Sequence, residues 1–495
     1  MRTPRSTRRP RALTGQGSQR AGRVGAVSFL DGRRYAVRDG RQRPDAVPGS
    51  LPSGQSWRCV SLPGGPRTGG AGWMAVLLGV GLTCLLGRVC LGAGDPTQVI
   101  DDRSGLLGDT AAPVALSLSL SPESRKSVQK GTMAVVDRSP APPETQVPLL
   151  PVQWELTPTG ARGVMLMPRL GPGSRPFGVG DRGEPFPPVM QAKAKVNGGA
   201  VEISEQDRPV LTYQYRTVEP GALLDQVAPA NRIYARARSD YIHPLYGLHG
   251  EVLTRDWPLD HPHHRGIYWA WPEVEFGRDR GDLHALQQVF ARPTGRIEVE
   301  SGPVFAQIRA ENRWLWADHE PIVTEVAVIR AYRTAVEGRV VDLAFQFVAL
   351  KPGVTLARRE TTHYGGLNVR LATPREQAIV THTDPAGTRR RAWSDLSGLF
   401  GGAPSGLTLL QSPTNPDYPG DWVQYPELSW CQPTFPASGT RYSLRPGEPL
   451  VLRFRLWVHA GGRGTDEWNA KLWDALAART TPLLTFGFRP AAPKE

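Results

Sequence analysis

Over residues 339–350 (RVVDLAFQFVAL) and 451–459 (VLRFRLWVH) apolar side chains recur at every second position, the pattern of strands with one buried face. Val341, Leu343, Phe345 and Phe347 share one side of the first run. In the second, Leu452, Phe454, Leu456 and Val458 oppose Arg453, Arg455, Trp457 and His459, and the turn residues Pro446, Gly447, Glu448 and Pro449 stand directly before it. Long helices have little room, because 54 of the 495 residues are Gly and 47 are Pro. The one convincing helix spans residues 465–479, with Thr465 placed to cap, Asp466 and Glu467 favouring the N-terminal dipole, and Trp468, Leu472, Ala475 and Leu476 forming an apolar stripe. The expected fold is therefore mainly β: a large antiparallel β-sandwich over residues 195–487, with a C-terminal helix on the outside of a sheet. Residues 111–188, where PVALSLSLS, VPLLPVQWEL and GVMLMPRL read as brief strands between turns, are expected to form a small β-sandwich-like module in front of it.

The net charge of +13 suggests a nucleic-acid partner until it is located. Residues 1–73 hold fourteen Arg and three Asp, for a net of +11, which leaves +2 on the rest. The body of the chain lacks the basic field that phosphate binding needs, so no nucleic-acid partner is expected. Residues 1–70, rich in Arg, Pro, Gly and Ser without hydrophobic period, are expected to be disordered. The uncharged run AGWMAVLLGVGLTCLLG at residues 71–87 has the length of a secretory signal core and is at the short limit for a membrane span. A signal of this kind normally lies within about the first 30 residues. That position is reached if translation begins near Met74, or between Arg58 and Arg67, where a basic flank precedes the run. Residues 71–94 are read as a signal peptide, with a membrane anchor as the alternative, and the product as exported to the periplasm or the cell exterior. Cys59, Cys84 and Cys90 then stay with the leader, and Cys431 is left alone, without a disulfide or a zinc-thiolate site.

Six of the ten histidines fall between His243 and His284. In the run Asp260-His261-Pro262-His263-His264-Arg265-Gly266, Pro262 is unsuited to a central strand and Gly266 permits a bend, so a loop is expected to enter a strand at Ile267. In an extended chain His261 and His263 share a face and His264 takes the other. With His243 nearby, His261 and His263 could hold a metal, or they could act as acid and base with Asp260 orienting one ring. Structural histidines are the third reading. Trp269 and Trp271 share a strand face, either in the core or, beside Arg265, as a stacking surface for a sugar ring. Phosphate-binding Gly-rich loops, a G-x-S-x-G elbow and H-E-x-x-H are absent from the sequence.

His243-Pro244-Leu245-Tyr246, Gly250 and the run from Asp260 to Gly266 closely resemble the signature of the bacterial PmoA-like family, which carries the label methane oxygenase. The resemblance continues through Thr361-Thr362-His363-Tyr364-Gly365-Gly366-Leu367-Asn368-Val369-Arg370, RAWSDLSG at residues 391–398, Gly406-Leu407-Thr408, Asn415-Pro416 through Trp422, and Arg455-Leu456-Trp457-Val458-His459, so that it covers residues 195–484. It implies a supersandwich related to galactose mutarotases, in which a His and a carboxylate act on a sugar in an open groove. Carried over, the acting groups would be His243, Asp260, His261, His263, His264 and His363, with Arg265, Trp269, Trp271, Trp422 and Glu427 binding the substrate. Methane oxidation is not expected, because a membrane-embedded oxygenase needs several apolar spans of about 20 residues and none follows residue 93.

Three functions are carried forward. The first is an exported protein that binds or transforms a carbohydrate or glycan by acid–base chemistry, as an epimerase, lyase or hydrolase. The second holds copper or zinc at His243, His261 and His263. The third is a non-catalytic surface module. Contact with a membrane would come only through residues 71–94, if they are retained.

Overall fold

The computed structural model describes residues 97–139, 148–195, 198–336, 338–383, 391–462 and 464–489. The basic segment 1–70 and the apolar run 71–94 lie outside the described residues, and no helix among the described residues is long and apolar enough to cross a membrane. The fold is mainly β, and its body is two eight-stranded antiparallel sheets. One sheet runs in the order Trp422–Tyr425, Trp430–Pro433, Leu367–Arg370, Ile267–Trp269, Tyr241–Leu245, Arg208–Gln214, Ala200–Glu205, Met190–Ala194. The other includes Glu320–Tyr332, Gly338–Ala349 and Leu450–Ala460 as neighbours at its centre.

The alternation read from the sequence builds the core between them. Val341, Leu343, Phe345 and Phe347, with Leu452, Phe454, Leu456 and Val458, enter one apolar cluster, together with Ile242, Ile267, Trp269, Leu367, Val369 and Cys431 from the opposite sheet. Cys431 is buried and unpaired, and burial pushes its thiol up to about 12, so it behaves as a small apolar side chain. Part of the outer face of the second sheet is buried as well. Arg455 donates two hydrogen bonds to Asp342 (2.6 and 2.9 Å), and His459 Nε2 lies 2.9 Å from Asp395. Trp457 packs with Leu472 and Trp473 of the C-terminal helix, Asp466–Leu476, which Thr465 caps by accepting from the Trp468 amide (3.2 Å).

In front of the sandwich stand a four-stranded and a three-stranded sheet, the first opening at Gln98–Asp102, thirteen residues upstream of the expected module. This part also contains a one-turn helix, Leu106–Asp109, and a longer helix, Pro122–Lys130, which apolar periodicity does not mark. Its signals are local: Ser121 accepts from the Ser124 amide (3.1 Å), Pro122 opens the helix, and Gly131 closes it at φ +73°. The helix carries almost no apolar stripe, and only Ser124 and Ser127 within it are buried.

Two carboxyls meet inside the sandwich. Asp240 and Glu325 act on each other electrostatically, Tyr213 donates to Asp240 (2.7 Å), and the Trp314 indole donates to Glu325 (2.7 Å), which is 0% exposed. Burial raises both above the ordinary carboxyl range, and the Asp240 charge raises Glu325 further, so the pair retains a proton that the unfolded chain gives up. Stability from such a raised group is complete below about pH 4 and is lost as pH rises toward the folded value, by about 1.4 kcal/mol per pH unit for one retained proton. Glu325→Gln keeps an acceptor for Trp314 and removes the titration. Urea unfolding at pH 5 and pH 8 is expected to show a smaller loss of stability in the variant than in the wild type; equal losses would exclude the retained proton.

Candidate functional site

The strand Leu367–Arg370 lies between Ile267–Trp269 and Trp430–Pro433, and its register decides what reaches each face of the sheet. Leu367 and Val369 point into the core with Ile267, Trp269 and Cys431. On the opposite face Tyr268 pairs with Asn368, Arg370 pairs with Trp430, and Gln432 follows on the same side. All five are buried although the face is polar. Loops roof this face, and the histidine-rich segment is one of them.

That segment is a tight turn. The His261 amide donates to the Pro258 carbonyl (3.1 Å) and the His264 amide to the His261 carbonyl (2.9 Å). Gly266 is required at its exit: φ is +70°, and a Cβ there would fall 2.3 Å from the Ile242 carbonyl oxygen. The expected parity, with His264 opposite His261 and His263, assumed an extended chain. The turn instead gathers all three rings, with centroids 4.9 Å apart for His261 and His264, 4.6 Å for His263 and His264, and 5.9 Å for His261 and His263. His284 completes the cluster from the loop after Asp279–Gly281, 4.5 Å from His263 and 5.3 Å from His264.

Burial pulls the His263 imidazole down to about 3, helped by His261, Arg238 and Arg359, and it holds His264 and His284 well below the ordinary value, with their neighbouring histidines and arginines adding to it. These rings are neutral at neutral pH. His284 Nδ1 lies 3.0 Å from the Tyr268 hydroxyl, whereas the Nδ1 atoms of His263 and His264 are buried without a partner. Half-exposed His261 differs, because its Nδ1 lies 2.9 Å from an Asp260 carboxylate oxygen. Burial works to raise the Asp260 carboxyl, but the hydrogen bond and charge of His261 outweigh it and hold it below the usual range. Asp260, His261, His263, Asp282, His284 and Tyr364 contribute to the wall of a polar cavity of about 580 Å³, and Arg359, which donates to Asp282 (2.9 Å), lines it too.

Several expected site residues lie elsewhere. Trp269 and Trp271 form no platform: at 3% and 0% exposure they stack on each other (centroids 4.5 Å apart) against Phe347, inside the sandwich. Their strand face is the one turned to the core, which alternation alone does not reveal. His243 is half-buried with its Nδ1 2.9 Å from the Thr254 hydroxyl and makes no ring contact with the other histidines, so His243, His261 and His263 are not a ligand set. Among the described residues, the histidines whose donor atoms lie within 4.8 Å of one another are His263, His264 and His284. His363 is exposed on a turn, with Nδ1 3.2 Å from the Arg359 carbonyl. Trp422 packs on the core and Glu427 is exposed in the turn Pro426–Leu428. Arg265 is fully buried under Trp257, its guanidinium carbon 3.0 Å from that ring's centroid, and pairs with Asp256 (3.3 Å). Arg359 and Trp430 have no local motif to mark them, His284 is marked only by the density of histidines up to that residue, and Tyr364 and Arg370 lie in the stretch 361–370 that carries the resemblance without being singled out as site residues.

The molecule is thus a large antiparallel β-sandwich protein with a histidine-lined cavity over one outer sheet face. The chain belongs to DUF6807, a family of unknown function, whose model matches residues 200–474 and so takes in every histidine of the cluster. No curated protein matches it.

Proposed function

We propose that the cavity binds a polyhydroxylated small molecule of the sugar type and that His261, oriented by Asp260, transfers a proton to or from it. The observation that carries this reading is the Asp260–His261 pair in the wall of a polar cavity of about 580 Å³, a volume suited to a small ligand. With Nδ1–H donated to Asp260, His261 Nε2 has no hydrogen bond among the described residues and is free to act as base and then as acid. The neutral rings of His263 and His284 and the hydroxyl of Tyr364 add donors and acceptors suited to sugar hydroxyls. The reading takes the sandwich to be of the galactose-mutarotase type and the protein to be exported, supported respectively by the strand pattern and by the apolar run at residues 71–87.

The test is calorimetry of the full chain with mono- and disaccharides, followed by turnover assays on those that bind. His261→Gln is expected to retain binding within about tenfold and to lower turnover by about 100-fold or more. No heat with any sugar, or full turnover by the variant, would reject the reading.

The spacing of His263, His264 and His284 favours a second reading, a three-histidine metal site. Two nitrogens bound to one zinc ion at about 2.0–2.1 Å lie at most about 4.2 Å apart, so at the 4.8 Å limit the rings must close by rotation. Arg238 and Arg359 already act on His263 and His284 as positive charges, which a divalent cation would join. Elemental analysis after loading with zinc or copper, on wild type and a His263→Ala/His284→Ala double variant, decides it. Stoichiometric metal in the wild type alone would favour this reading over the first.

A further inference from the structure

We infer that the ligand of this site carries an oxyanion, a carboxylate or a phosphate, and that Arg370 binds it; the inference deepens the sugar reading and rests on it for the rest of the ligand. Arg370 is 5% exposed, and its Nε and Nη1 are buried without a hydrogen-bond partner. No ion pair engages it among the described residues: Asp260 and Glu427 act on it only through their charge. The other arginines around the histidines are occupied. Arg359 is paired with Asp282, and Arg238 donates to the carbonyls of Leu283 and His284 (2.7 and 2.6 Å) with its guanidinium 4.5 Å from the centroid of the Tyr268 ring. A buried guanidinium without an anion is costly unless something else supplies the charge.

The surrounding orphan atoms share this character. Trp430, the cross-strand partner of Arg370, has a buried indole Nε1 without an acceptor, and that group can only donate. Asn368, two residues along the same face, is fully buried with neither amide atom partnered. The His264 ring lies 5.0 Å from Trp430, with its Nδ1 also unpartnered. The Arg370 guanidinium and the Trp430 indole are cross-strand neighbours just behind the cavity wall, which Trp430 meets through His284 and Tyr364, and the Asn368 amide lies on the same strand face. Such donors are suited to oxygen atoms that bear negative charge, and the guanidinium fork matches a carboxylate or a phosphate with two parallel bonds.

The experiment uses the full chain and calorimetry at low salt. Inorganic phosphate and acetate probe the anion subsite alone; glucose with glucuronate and glucose 6-phosphate, and galactose with galacturonate, probe it within a sugar. The expected result is that at least one anionic sugar binds tenfold or more tighter than its neutral parent, and that Arg370→Gln removes that advantage, weakening the anionic sugar at least tenfold more than the neutral one. Preference for the uronates assigns a carboxylate, and preference for glucose 6-phosphate assigns a phosphate. Arg370→Lys, which keeps the charge without the fork, is expected to retain part of the advantage and serves if Arg370→Gln does not fold. Neutral and acidic sugars bound equally, unaffected by either variant, would overturn the anion subsite and leave the sugar reading standing. Phosphate or acetate bound in an Arg370-dependent manner with no sugar bound would do the reverse. No anion bound by the wild type overturns the inference.

Discussion

Metal-free protein brought from pH 7 to pH 4 is expected to lose stability more steeply than its His284→Gln variant. A free imidazole takes up its proton near pH 6.5, but the folded chain holds His263 down to about 3 and His264 and His284 well below their ordinary value, burial being the main cause. Between those limits the unfolded chain binds protons that the fold refuses. Stability from such depressed groups is complete above about pH 6.5 and is lost as pH falls, by about 1.4 kcal/mol per pH unit for each ring, or up to about 4 kcal/mol per unit for three. Asp240, Asp282 and Glu325 are raised by burial and act in the opposite sense, so the wild-type curve alone is ambiguous. The difference between wild type and variant isolates the ring: its slope is expected to be about 1.4 kcal/mol per pH unit below pH 6, read from urea midpoints at pH 7, 6, 5 and 4 after chelation. Parallel curves would mean that His284 titrates as it does in water and that the cluster is open to solvent.

Trp271→Ala is expected to cost about 3–5 kcal/mol of stability, the range for removing a large buried aromatic side chain. The indole is 0% exposed, stacks on Trp269, packs against Trp314 and Phe347, and donates to the Phe435 carbonyl (2.8 Å). Its loss leaves a cavity between the sheets and a buried carbonyl without its donor, and the second adds about 1–3 kcal/mol if water does not enter. Ligand affinity, measured at a temperature where the variant is folded, is expected to change little, since the ring does not border the cavity. A stability loss below about 1.5 kcal/mol combined with lost binding would return Trp271 to the role of a sugar platform.

Much of the framework could be read from local order. Alternation at Val341 to Phe347 and at Leu452 to Val458 located core strands, and Thr465 with the acidic residues after it located the C-terminal helix. The helix Pro122–Lys130 is not legible from periodicity because its apolar stripe is weak, although Ser121, Pro122 and Gly131 mark both ends. The histidine-rich segment was recognisable as a loop from Pro262 and Gly266, and Asp260 beside His261 was already a candidate orienting pair.

What the sequence determined by itself is the mainly β class, the positions of its longest apolar faces and the stretch of chain that holds most of the unusual chemistry, because each of these depends on neighbours a few residues apart. Tertiary structure decided which face of a strand is covered and what converges across strands. Period two says that Tyr268 and Trp269 point opposite ways; only the packing of the second sheet sends Trp269 to the core and Tyr268 to the site. The turn at Pro258 to His264 turned a predicted alternation into a cluster, and His284, Arg370 and Trp430 joined it through loops and strand register set by residues up to 170 positions away. Register and burial are long-range properties, and they decide which of these polar groups find partners and which are left for a ligand.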